Sequence, residues 1–142
     1  VALRDRVAVP CTSYRVPPHD PCRAPLGEIS WAWWPRDRLV ALAADEEGAC
    51  ATWPVTFTGN TLTLNARTQY TGSVTVELAG PDGAPLPGRT FADCDPVTGD
   101  EMARVVSWKG DPHLTPQGNG PLMVRLQLRQ AEVFSLRFGE ER

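Results

Sequence analysis

Leu122-Met123-Val124-Arg125-Leu126-Gln127-Leu128-Arg129-Gln130-Ala131-Glu132-Val133-Phe134-Ser135-Leu136-Arg137-Phe138 is the stretch on which the fold turns. Leu122, Val124, Leu126 and Leu128 alternate with Met123, Arg125, Gln127 and Arg129. That period of two places every apolar side chain on one face of an extended strand. Slipping the pairing by one residue would turn the whole set to solvent, so the register is strongly specified. Beyond Gln130-Ala131, Phe134, Leu136 and Phe138 oppose Val133, Ser135 and Arg137. The stretch predicts two strands, Pro121 to Arg129 and Glu132 to Phe138, joined as a hairpin.

The same alternation recurs upstream. In Thr61 to Ala66 the leucines face one way and the polar residues the other, and in Ser73 to Ala79 Val74, Val76 and Leu78 oppose Thr75 and Glu77. Shorter segments at Glu28 to Trp34, Arg38 to Ala43, Cys50 to Phe57 and Arg104 to Trp108 complete eight predicted strands. Turn residues separate them at Gly59-Asn60, Gly80-Pro81-Asp82-Gly83 and Gly118-Asn119-Gly120, and Asp45-Glu46-Glu47-Gly48 reads as an exposed turn. With one apolar face per strand and no helical periodicity, the expected class is all-β: two antiparallel sheets packed as a β-sandwich, jelly-roll-like in order. Residues 1–26 read as a proline- and arginine-rich N-terminal arm, with Val7-Ala8-Val9 a short strand ending at Pro10, and residues 27–142 as the sandwich domain.

A chain of 142 residues is long enough to bury a sizeable core in one domain. The 14 Pro and 12 Gly are scattered as turn punctuation. A net charge of −3 provides no basic footprint for nucleic acid, and no run approaches the ~18 apolar residues of a membrane helix. Lys109 is the single lysine among 14 basic residues, a bias that reads as GC-rich coding. The chain begins at Val1 and not at Met, which suggests a processed product or a piece of something longer.

Four cysteines allow three pairings, and Cys11 with Cys22 are the two close in sequence. A disulfide there would pin a proline-rich loop in an exported, extracellular or cell-surface protein, whereas Cys50 and Cys94 read as buried free thiols. Phe91-Ala92-Asp93-Cys94-Asp95-Pro96-Val97-Thr98-Gly99-Asp100 holds the candidate metal residues, since Asp93, Asp95 and Asp100 place oxygen ligands for calcium on one segment. Pro96 interrupts the spacing of a helix-loop-helix calcium loop. The competing reading is that these carboxylates accept backbone N–H bonds in successive turns, with Trp108 filling the core.

Catalytic arrangements are poorly represented. Asp37, Asp45, Glu46 and Glu47 do not form an evident glycosidase pair, and His113 lies in Asp111-Pro112-His113-Leu114-Thr115-Pro116 with no serine on a Gly-x-Ser-x-Gly turn. Trp31, Trp33, Trp34 and Trp53 are the binding candidates. Trp31 and Trp33 share one strand face while Trp34 takes the other, which fits a domain interface, core packing or sugar stacking.

From Gly27 to Phe138 the chain resembles the C-terminal β-sandwich module of five-bladed propeller glycosidases of the glycoside hydrolase family 32 type. The resemblance is carried in order by Trp34 to Leu42, Gly48 to Pro54, Leu62-Thr63-Leu64-Asn65, Val74 to Leu78, Asp93 to Asp100, Val106-Ser107-Trp108-Lys109-Gly110, Val124-Arg125-Leu126 and Phe134 to Phe138. In that family the propeller carries the nucleophile and the acid/base glutamate, and the sandwich steadies it. None of the propeller motifs occurs here. The resemblance implies a non-catalytic accessory domain that packs against a partner domain or binds carbohydrate. The alternatives are a self-associating structural protein and a fragment of a glycoside hydrolase whose propeller is absent.

Overall fold

The computed structural model describes residues 5–14, 27–114 and 120–140. Their regular structure is all strand: β1 (Arg6–Tyr14), β2 (Gly27–Pro35), β3 (Leu42–Ala51), β4 (Thr61–Ala79), β5 (Asp100–Val105) and β6 (Met123–Gly139). The expected all-β class of two antiparallel sheets is observed, with β1 and β2 forming one and β3-β6-β4-β5 the other. The chain divides into two compact units, Val1–Leu39 and Val40–Arg142. Among the described residues no helix is long and apolar enough to cross a membrane.

In the first unit, β1 pairs with β2 from Arg6↔Pro35 to Tyr14↔Gly27. The strand expected to stop at Pro10 runs on to Tyr14. Proline is tolerated because a two-stranded ribbon leaves one edge of each strand unpaired, so the missing N–H need not break the ladder.

In the second unit the eight expected segments become fewer, longer strands. The hairpin expected around Gln130-Ala131 is absent: β6 is continuous, and both of its halves pair with β4. The apparent turn is an irregularity with Gln130 at φ 44°, where Thr68↔Ala131 is followed by Ser73↔Arg129. Residues 69–72 of β4 therefore loop out opposite one residue of β6, and Tyr70 is fully exposed at the tip. Gly72 is required there, since a Cβ would lie 2.4 Å from the Gln130 carbonyl oxygen. A second shift, between Asn65↔Ser135 and Ala66↔Val133, skips Phe134. Each inserted residue flips the side-chain parity. Val133 is consequently buried with Leu126 and Leu128, while Phe134, expected on the apolar face, lies beneath the Arg67 guanidinium at 5.9 Å.

Asp45-Glu46-Glu47-Gly48 is likewise no turn between strands. It lies within β3, where the pairing with β6 shifts between Ala44 and Glu47. Residues 38–41, expected in a strand, precede it, and Val40 is 79% exposed. Residues 52–57 leave the strand after Ala51 and keep a single bridge, Val55↔Leu122. Strand β5 starts at Asp100, four residues before the expected start, and ends before Trp108.

The core gathers Leu62, Leu64 and Ala66 from one half of β4 and Val74, Val76 and Leu78 from the other, with Val124, Leu126, Leu128 and Val133 of β6. Connecting segments add Val97, Val106, Trp108 and Leu114, and Phe57 stacks on Phe138 with centroids 4.7 Å apart. Trp108, 1% exposed, donates its indole N–H to the Val76 carbonyl at 2.9 Å, so its one polar atom is satisfied inside the core.

Candidate functional site

Three regions carry the side chains that could act on other molecules. The first is the β1–β2 ribbon. Cross-strand partners share a face, so Ile29, Trp31 and Trp33 stand beside Thr12, Pro10 and Ala8, while Trp34 stands beside Val7 on the other side. Ile29 is 82% exposed, Trp31 49% and Trp33 50%. The Trp31 and Trp33 rings lie 6.3 Å apart, tilted by 39°, and the Arg6 guanidinium caps Trp33 at 5.7 Å. This ribbon face is wide and apolar with a cation at one end, suited to a flat apolar surface or to stacked rings. Trp53, 87% exposed, belongs to the second unit, just after β3. On the other ribbon face the Cys11 thiol is free and lies 3.3 Å from the Ser30 hydroxyl. Its expected partner Cys22 falls outside the described residues.

The second region is the aspartate-rich corner. Trp108 and Asp111 exchange backbone hydrogen bonds of 2.9 and 3.0 Å across Lys109 and Gly110, whose φ values of 52° and 82° give a tight turn of type I′. Asp93 accepts from the Thr90 hydroxyl at 2.8 Å and pairs with Lys109 at 2.5 Å. Asp95 accepts from the Ser107 hydroxyl at 2.6 Å and from the Gly110 N–H at 2.8 Å. Main-chain bonds from Asp95 to Ser107 and from Lys109 to Asp93 close the clamp. Lys109 and Thr90 hold the Asp93 carboxyl below its ordinary value, and Ser107 and the Gly110 N–H do the same for Asp95. Asp100 stands elsewhere, opening β5 in register with Arg67. Among the described residues no three His, Cys, Asp or Glu side chains are close enough to hold a metal ion. The corner joins two connecting segments, and its buried Cys94 thiol is pushed up by desolvation while accepting the Val76 N–H.

A third region was not singled out in the sequence. Along the solvent face of the four-stranded sheet, Ala49, Gln127 and Thr75 are neighbours across β3, β6 and β4, as are Glu47, Arg129 and Ser73. They line an open groove of about 550 Å³. Beside it Arg125 pairs with Glu77 at 2.9 Å and donates to the Gly83 carbonyl. The one signal in the sequence was the polar half of the alternation, which looks alike on any solvated sheet face.

No family model, curated protein or solved structure matches the chain. None of these comparisons links the chain to the family 32 module.

Proposed function

We propose that this chain is a non-catalytic β-sandwich accessory module, exported, whose tryptophan-bearing β2 face packs against a partner domain. The observation that carries the reading is the exposure of Ile29, Trp31 and Trp33 side by side on a two-stranded ribbon. An isolated two-stranded ribbon is marginally stable in water, and contiguous exposed apolar surface of this kind marks interaction sites. The resemblance to family 32 modules points to a five-bladed propeller as the partner domain, and so to a glycoside hydrolase as the parent protein.

Carbohydrate is the second reading, favoured by the adjacent Trp31 and Trp33 rings, on which a sugar ring could stack. Self-association through the same face is the third. Titration of soluble fructans and other glycans, followed by tryptophan fluorescence and sedimentation, separates them. The leading reading expects no hydrolysis by the purified chain, no glycan-dependent fluorescence change, and a propeller encoded upstream. Glycoside hydrolysis by the chain alone, unchanged by Trp33→Ala, would overturn it. A saturable glycan response abolished by Trp31→Ala would establish the second reading, and a Trp33-dependent dimer the third.

A further inference from the structure

Outside the ribbon, the most unusual chemistry lies where the type I′ turn ends, at Gly110-Asp111-Pro112-His113. The Asp111 carbonyl oxygen accepts the Trp108 N–H at 2.9 Å. One Asp111 carboxylate oxygen accepts the His113 N–H at 3.1 Å, and the other is engaged by the Arg89 guanidinium. Arg89 is itself held firmly: its side chain is 11% exposed, its Nε donates to the His113 carbonyl at 2.7 Å, and it lies over the Trp108 ring at 5.4 Å. The residues on both sides of the Asp111–Pro112 bond are thus held, the main-chain carbonyl by the Trp108 N–H and the carboxylate by the His113 N–H and Arg89.

We propose that the Asp111–Pro112 peptide bond is a self-cleavage site, at which the Asp111 carboxylate attacks its own main-chain carbonyl carbon and expels the Pro112 nitrogen. An O–C bond forms and closes a five-membered cyclic anhydride as the C–N bond breaks. The electron pair of the broken bond goes to the Pro112 nitrogen, which takes a proton from solvent. Water then opens the anhydride, leaving two carboxyl groups on Asp111 and a free amino terminus at Pro112. The net change is hydrolysis of one peptide bond, with water as the sole co-reactant.

Each part of the step has a group in place. The Trp108 N–H points at the oxygen that gains negative charge in the tetrahedral intermediate. Proline contributes a tertiary amide with no N–H of its own, whose nitrogen is released as a basic secondary amine. The Asp111 side chain is 46% exposed, so water reaches the anhydride. The Asn60 side-chain amide lies 3.2 Å from His113 Nδ1 and anchors the residue that follows Pro112. The charged groups facing Asp111 are Arg89 and His113, while Lys109 in the same turn is engaged by Asp93. The His113 N–H and Arg89 hold the Asp111 carboxyl below its ordinary value, so the nucleophile stays ionised in mild acid, where protons for the leaving nitrogen are more abundant.

Asp95–Pro96 supplies an internal control. Its carboxylate is likewise held, by Ser107 and Gly110, but its carbonyl faces the weakly donating Cys94 thiol at 3.5 Å and not a backbone N–H.

The test is incubation of the folded full chain at about pH 4–5, with circular dichroism confirming the fold and intact-mass spectrometry following the fragments. The expected result is a fragment beginning at Pro112 that appears at least about tenfold faster than cleavage at Asp95–Pro96 or at the same bond in a peptide spanning 106–118. Hydroxylamine present during the reaction is expected to leave a hydroxamate on Asp111 of the N-terminal fragment. Pro112→Ala, which keeps the nucleophile but replaces the leaving group, and Asp111→Asn are each expected to abolish the fragment. Equal rates at the two Asp–Pro bonds, a peptide as fast as the folded chain, or cleavage without hydroxamate would overturn the proposal.

Discussion

The β1–β2 ribbon and the β4–β6 ribbon are built from the same pattern, apolar residues alternating along paired antiparallel strands, yet they end in opposite environments. On β4 and β6 Leu62, Leu64, Val74, Val76 and Val124 are fully buried. On β2 Ile29, Trp31 and Trp33 remain exposed. The difference lies in length and bending. Strand β4 has 19 residues and β6 has 17, and the looped-out residues 69–72 let both halves of the pair contribute to one core. Strands β1 and β2 have nine residues each and an unshifted register. A short ribbon of this kind cannot bury its own apolar face, which is why that face stays exposed.

Core truncation should separate the two ribbons most sharply. Trp108→Ala removes a buried indole and its bond to Val76, and is expected to cost about 3–5 kcal/mol in urea unfolding. Leu64→Ala is expected to cost about 2–5 kcal/mol. Trp33→Ala, on the exposed face, should stay within about 0.5 kcal/mol of the parent chain. A Trp33 cost as large as that of Trp108 would erase the contrast.

Gly72→Ala tests the bend directly. A Cβ lying 2.4 Å from the Gln130 oxygen forces backbone to move, with an expected loss of about 1–3 kcal/mol. An unchanged urea midpoint would show that the looped-out segment does not hold the two halves of the long ribbon in place.

The smallest effect is that of pH on the aspartate corner. Asp93, Asp95 and Asp111 have folded-state values lowered from 3.8, so their contribution is present above that value and is lost as pH falls through their folded-state values. Stability should decline on acidification below about pH 4. Ser107→Ala, which removes the largest cause of the Asp95 shift, should flatten that decline while leaving the slope at neutral pH unchanged. An identical acid profile in the variant would remove Asp95 from the account.

The sequence is informative where the period of two runs unbroken. Leu122 to Leu128 and Leu62-Thr63-Leu64 were legible in register and in buried face, and Trp108 was expected in the core where it lies. The aspartate stretch was legible as a corner, since Asp, Pro and Gly side by side favour turns. What was not legible were the shifts at Ala44/Glu47, at residues 69–72 and at Phe134. An inserted residue inside a strand flips parity and admits polar or glycine residues, so it reads as the turn between two shorter strands. Gln130-Ala131 and Asp45 to Gly48 were misread for that reason, and Phe134 was placed on the wrong face. The tryptophans were legible as a face but not as exposed, because alternation shows which residues share a side and not what covers them. The groove across Glu47, Thr75 and Arg129 was invisible, since it depends on three strands meeting.

The most direct test of the account is hydroxyl-radical footprinting of the tryptophans in the full chain at low concentration, read by peptide mass spectrometry. With Trp31 at 49% and Trp33 at 50% exposed and Trp108 at 1%, the first two should be oxidised rapidly and Trp108 protected until the fold is lost. Protection of Trp31 and Trp33 in the isolated monomer, or oxidation of Trp108 at their rate, would contradict the assignment of one apolar ribbon to the core and the other to a partner.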